Sequence, residues 1–199
     1  MSLAAMLVAA LPAEACRLAI LGDSLTAGYG LRQEEAFPAR LQRALVSELP
    51  ACTVVDAGVS GDTSAGGVSR IEWVLADTPT HLMVELGGND GLRALPVEQL
   101  ERNLRRIVET AQDRGVRVML AGMLAPPNLG EAYGLAFRGV YARLAGDYGL
   151  PLYPFFLDGV AQNPGMLLPD RIHPNAAGVE EMVNRITPMV AEWLRQTTG

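Results

Sequence analysis

The sequence predicts an α/β fold in which a parallel sheet is covered by helices on both faces, three layers in all. From Arg17 onward, short apolar runs alternate with longer stretches of helical periodicity, and Gly or Pro separates most neighbours. The chain has 199 residues, 49% of them hydrophobic and 19% charged, which suits one domain with a sizeable core, taken as residues 16–199. No internal repeat, low-complexity tract or linker divides it.

The strands are expected at 18–21, 53–57, 81–86, 116–121 and 150–153, because each is an apolar run too short for a helix. Between and after them, Leu100, Leu104, Ile107, Val108 and Ala111 recur at helical spacing, as do Val179, Met182, Val183, Ile186, Val190 and Trp193. Those stripes are core faces. Further helical patterns cover roughly 35–49, 64–76 and 133–148. The stretch 122–131, with Pro126, Pro127, Asn128 and Gly130, is loose enough to be a functional loop.

Ahead of the first strand, residues 3–11 form an apolar run far short of the roughly 20 residues that span a bilayer. Small residues follow at Ala13-Glu14-Ala15, in the order of a cleavage site. The segment 1–15 therefore reads as the back half of a secretory signal that lacks its positive start, with Met1-Ser2-Leu3 in part a cloning scar. A short buried helix is the alternative. The signal reading places the protein in the periplasm or outside the cell, without stable membrane insertion.

Composition removes several functions. Sixteen basic residues against 22 acidic ones give a net charge of -6, so no basic field exists to gather nucleic acid. All 16 basic residues are Arg, and without Lys there is no Schiff base, no Walker-type phosphate loop and no Ser-Lys dyad. Two Cys and two His, at unsuitable spacings, argue against a metal centre, and no cofactor is expected.

In open parallel sheets, ligands bind beyond the carboxyl ends of the strands. Four loops at that edge carry chemistry. The first strand runs into Gly22-Asp23-Ser24-Leu25, where Ser24 is either a helix cap or a hydroxyl poised at a helix start. The second exits into Gly58-Val59-Ser60-Gly61-Asp62-Thr63, a turn before a capped helix or a place where a glycine N–H meets a ligand. The third ends in Gly87-Gly88-Asn89-Asp90, a turn whose Asn amide could donate to an oxyanion without introducing charge. Before the last helix, Asp170 stands three residues ahead of His173, close enough to reach the imidazole Nδ1 within one loop and leave Nε2 to take a proton. His81 opens a strand and so belongs at the opposite edge. Together the four loops supply a nucleophile, a base with its orienter, and oxyanion donors. No Gly-x-Ser-x-Gly elbow occurs, which argues against the α/β-hydrolase scaffold.

On these residues the sequence resembles the SGNH or GDSL hydrolases. Ser24 within Gly22-Asp23-Ser24-Leu25 matches the first block, Gly61 the second, Asn89 within Gly87-Gly88-Asn89-Asp90 the third, and Asp170 with His173 the last, over Arg17 to about Leu194. The runs 59–64 and 84–93 look most like the bacterial periplasmic subgroup with thioesterase, arylesterase and lysophospholipase activity. The resemblance implies a flavodoxin-like sheet of five parallel strands and an exposed acyl groove. One departure is Arg171, where that subgroup usually has a small residue.

The expected chemistry is a serine esterase or thioesterase in which Ser24 attacks, His173 moves the proton and Asp170 orients the imidazole. The oxyanion would lie among the N–H groups of Ser24 and Gly61 and the amide of Asn89. Leu92, Leu95, Met123, Leu124 and Met166 are candidates to line the acyl site, and Arg171 to sit at its mouth, unless it is simply solvated. A carbohydrate or small-ester deacetylase with the same triad is the alternative. A flavin- or phosphate-binding module on the same scaffold is more distant, since it has no use for Asp170 and His173. Finally, Cys16 and Cys52 each precede a strand, and if those strands are parallel neighbours their separation permits a disulfide. Two buried free thiols are the other possibility.

Overall fold

A computed structural model describes residues 16–196; the segment expected to be a signal remnant lies outside them. The strands β1 (Arg17–Gly22), β2 (Thr53–Gly58), β3 (His81–Glu85), β4 (Arg117–Ala121) and β5 (Leu152–Tyr153) form one parallel sheet in the order β2-β1-β3-β4-β5. That is the flavodoxin-like order, and the direction of travel reverses between β1 and β3. Central strands buried on both faces read as unbroken apolar runs, which is why Leu18, Ile20, Leu82 and Met83 are fully buried.

Helices cover both faces. On one, α3 (Ser64–Ala76), α5 (Val97–Gln112) and α6 (Glu131–Tyr148) pack in a row. On the other, α2 (Phe37–Leu45) pairs with α7 (Ala176–Arg195), and Arg40 bridges to Glu180 across that pair. The stripe Leu100, Leu104, Ile107, Val108 and Ala111 is the buried side of α5, as its spacing predicts. The pattern expected over 35–49 divides into a 3-10 turn at Gln33–Glu35 and the shorter α2, because Pro38 fits only the first turn of a helix. Two further helices, α1 (Ser24–Ala27) and α4 (Gly88–Leu92), hold four and five residues.

Cys16 and Cys52 form a disulfide, their Cα atoms 4.4 Å apart. They lie just before paired strands, with Arg17 beside Thr53 in register, at the end of the sheet away from the β1 and β3 carboxyl termini. The bond closes a loop with a sequence separation of 36. Replacing both cysteines with serine should cost roughly 3–4 kcal/mol, read as a lower urea midpoint. Esterase activity at room temperature should persist, since the bond is at the far end of the sheet. An unchanged midpoint would count against this.

Candidate active site

The switch point between β1 and β3 places two loops side by side, and everything chemical gathers there. β1 ends at Gly22, where an added Cβ would come within 2.0 Å of Thr26 Oγ1 and 2.6 Å of Glu85 Oε2, so the chain turns tightly into α1. The cap of α1 is Asp23 and not Ser24: Asp23 Oδ1 accepts from the Leu25 N–H at 3.0 Å, leaving the Ser24 hydroxyl free of capping duty. Ser24 is only 8% exposed, and its Oγ lies 2.8 Å from His173 Nε2.

His173 arrives from the loop before α7, 149 residues along the chain. The cap of α7 is Asn175, whose side chain accepts from the Gly178 N–H, so Pro174 precedes the helix instead of occupying its first turn. Asp170 does two things at once. Its Oδ1 accepts from the N–H groups of Ile172 (2.9 Å) and His173 (3.0 Å), while Oδ2 meets His173 Nδ1 at 2.7 Å. The backbone donors of His173 and Ile172, with the ring N–H of His173, hold the Asp170 carboxyl down at about 2. A carboxylate that stays ionised fixes the ring with its proton on Nδ1 and its lone pair on Nε2 toward Ser24.

Asn89 lies at the start of α4, and both hydrogens of its amide are engaged, by Asp62 O at 2.9 Å and Asp23 Oδ2 at 3.1 Å. Both partners are acceptors, which fixes the amide orientation. Gly61 adopts φ +81, and neither its N–H nor that of Ser24 has a hydrogen-bond partner among the described residues. The Gly61 loop is braced on both sides. Arg93 donates to Gly61 O at 2.8 Å, and Arg70 joins Asp62 Oδ2 (2.7 Å), Ala57 O (2.6 Å) and Gly22 O (2.8 Å). Asp90 ties the β3 loop to the start of α3 by accepting from the Ser64 N–H at 2.8 Å and Oγ at 2.5 Å.

Beneath the turn sit two carboxyls that sequence reasoning missed. Glu85 is fully buried; its Oε2 accepts from Thr26 Oγ1 at 2.7 Å and from the Asp23 N–H at 3.3 Å, and Oε1 has no partner among the described residues. Burial, and then the neighbouring Asp23, push Glu85 well above the usual carboxylate range. Burial likewise raises Asp23 to about 6 against the opposing pull of Leu25 and Asn89. The signal was present in the sequence: Glu85 is the one charged residue in the run Leu82-Met83-Val84-Glu85-Leu86.

The residues expected to line an acyl site divide. Met123 is buried, with its Cε 3.4 Å from where a Gly88 Cβ would stand, next to Asn89. Leu92, at the end of α4, is 52% exposed, Leu124, on the loop after β4, is 42% exposed, and Leu95 is half-buried, its carbonyl accepting from Tyr133. Met166 packs beside Gly178 at the start of α7. Arg171 is exposed at φ +60, a conformation that favours glycine, which gives a backbone reason for a small residue there. His81 lies buried at the far end of the sheet against Trp193, where burial lowers it to about 4.

With the geometry in view, the model of the GDSL-like lipase/acylhydrolase family matches residues 20–180. The chain belongs to this family. Among curated relatives, it is similar to the esterase TesA of Pseudomonas aeruginosa, 41% identical over 177 residues that cover 88% of each protein. It is also similar to thioesterase 1/protease 1/lysophospholipase L1 of Escherichia coli, 38% identical over 183 residues, covering 92% of this chain and 83% of that one. Among solved structures, AlinE4, an SGNH-hydrolase family esterase, superposes with a TM-score of 0.76 at 45% identity, over 91% of this chain and 97% of that one. Like those family members, the chain is an ester hydrolase on a five-stranded parallel sheet.

Proposed function

We propose that Ser24, His173 and Asp170 hydrolyse acyl esters and thioesters through an acyl-serine intermediate. One observation carries the reading: Asp170 Oδ2, the two nitrogens of His173 and Ser24 Oγ stand in a row, with hydrogen-bond distances of 2.7 and 2.8 Å. His173 Nε2 takes the hydroxyl proton as Oγ bonds to the carbonyl carbon, and returns it to the leaving oxygen or sulfur as that bond breaks. Water repeats the sequence in reverse and frees the acid. The oxyanion accepts from the Ser24 and Gly61 N–H groups and from Asn89, whose amide exchanges the Asp23 carboxylate for the reacting oxygen.

The exposed apolar side chains of Leu92 and Leu124 support acyl chains longer than acetyl. The names of the relatives, esterase and thioesterase/lysophospholipase, favour the same substrates. Export fits a disulfide-closing compartment, and among the described residues no helix is long and apolar enough to cross a membrane. A chain-length series of p-nitrophenyl esters, run beside acyl-thioesters and a lysophospholipid, tests the specificity. Turnover should rise from acetyl to medium-length chains. Activity confined to acetyl esters would instead identify a deacetylase.

A further inference from the structure

Arg70 stands apart from the triad, in the middle of α3, yet its guanidinium reaches both loops that carry the backbone oxyanion donors. Nε donates to Asp62 Oδ2 at 2.7 Å, Nη1 to Ala57 O at 2.6 Å and Nη2 to Gly22 O at 2.8 Å. Gly22 closes β1 two residues before Ser24, and Asp62 directly follows Gly61. Gly22 O accepts a second time, from the Val59 N–H at 3.0 Å, so the ends of β1 and β2 meet at one carbonyl. Two glycines make room for this junction. An added Cβ on Gly66, one helical turn before Arg70, would collide with Asp62 Oδ1, and one on Gly58 would come within 2.5 Å of the Ala27 nitrogen in α1.

An ion pair with Asp62 needs only one arm of the guanidinium. The other two are spent on main-chain oxygens at the ends of neighbouring strands, and a planar fork holds three acceptors at fixed relative positions. We propose that Arg70 is a positioning residue of the reaction, which sets the spacing of the Ser24 and Gly61 N–H groups so that both aim at one oxygen before the substrate arrives. The inference rests on the acyl-serine reading above. Charge on the carbonyl oxygen develops only as the tetrahedral state forms, and donors already in place stabilise it without reorganising. Asn89 belongs to the same frame, since its amide donates to Asp62 O. The histidine side of the site is fixed separately, by Asp170 and by the Tyr29 ring, which lies on the imidazole with centroids 4.4 Å apart. Losing Arg70 therefore disturbs the oxyanion donors and leaves the proton relay in place.

The test compares Arg70→Ala and Arg70→Lys with the wild type on p-nitrophenyl butyrate, with melting temperatures to establish folding. Arg70→Ala should lose about 10- to 100-fold in kcat with KM within about twofold of wild type, because a displacement of order 1 Å at the reacting groups is enough for that loss. A boronic acid, which becomes a tetrahedral anion on Ser24, should bind the variant more weakly by a similar factor. Millimolar guanidinium chloride, against equal sodium chloride, should recover part of the kcat by refilling the vacated site. Arg70→Lys keeps the charge beside Asp62, but a single ammonium cannot span all three acceptors, so it should also lose kcat, and it decides the matter if Arg70→Ala does not fold. Wild-type kcat in a folded variant with a lowered melting temperature would reduce Arg70 to a stabilising ion pair and overturn the proposal. A loss carried by KM alone, or boronate affinity equal to that of the wild type, would overturn it too. Failure of the underlying reading looks different: turnover would survive Ser24→Ala.

Discussion

Ser24→Ala should abolish ester hydrolysis, with kcat falling by about 10⁴- to 10⁶-fold while the melting temperature barely moves. The size of the effect follows from the lack of a substitute. Thr26, the nearest other hydroxyl in α1, is buried and donates to Glu85 at 2.7 Å, so it cannot turn toward His173. The small structural cost follows from burial, because among the described residues Ser24 makes one side-chain hydrogen bond, to His173, and alanine fits the same space. What activity remains would come from the oxyanion donors and substrate binding alone. Purified, folded Ser24→Ala protein with undiminished turnover would remove the serine mechanism.

Asn89→Ala should cost about 10²- to 10³-fold in kcat with little change in KM, because an oxyanion donor acts on charge that exists only in the transition state. A second consequence separates this residue from an ordinary one. Its amide also serves Asp23 Oδ2 and Asp62 O, so the variant leaves a buried carboxylate short of a donor, at about 1–3 kcal/mol in stability near neutral pH. The sign with pH is fixed by Asp23. Its value in the fold, about 6, is above that of the unfolded chain, so the fold takes up the proton more readily and is disfavoured as pH rises through that value. The stability deficit of Asn89→Ala should therefore narrow on acidification through pH 6. Urea midpoints of both proteins at pH 5 and pH 8 would show it, and a deficit independent of pH would place the lost energy elsewhere.

Much of this is legible in the sequence. Strands buried on both faces announce themselves as apolar runs, and the residues after them fall at one edge by topology alone, which is how Ser24, Gly61, Asn89 and the Asp170–His173 pair could be assembled. What escaped has physical causes. Helices of four and five residues, such as α1 and α4, have no room to show a period, so Asp23 was not seen as the cap that releases Ser24. The engaged amide of Asn89, the Arg70 clasp on Asp62, Ala57 and Gly22 and the Tyr29–His173 contact are all tertiary, joining residues from 8 to 144 positions apart. The charged Glu85 stands inside an apolar run and marks the floor of the turn that carries Ser24.

The proposed mechanism stands on Ser24 as the nucleophile, activated by His173. Its most direct test is covalent trapping: incubation with an alkyl fluorophosphonate, followed by intact-mass and peptide mass spectrometry. One adduct per chain is expected, located on the peptide containing Ser24, formed quickly in the wild type and far more slowly in His173→Ala. Loss of activity with the label on another residue, or complete hydrolytic activity after stoichiometric labelling of Ser24, would contradict it.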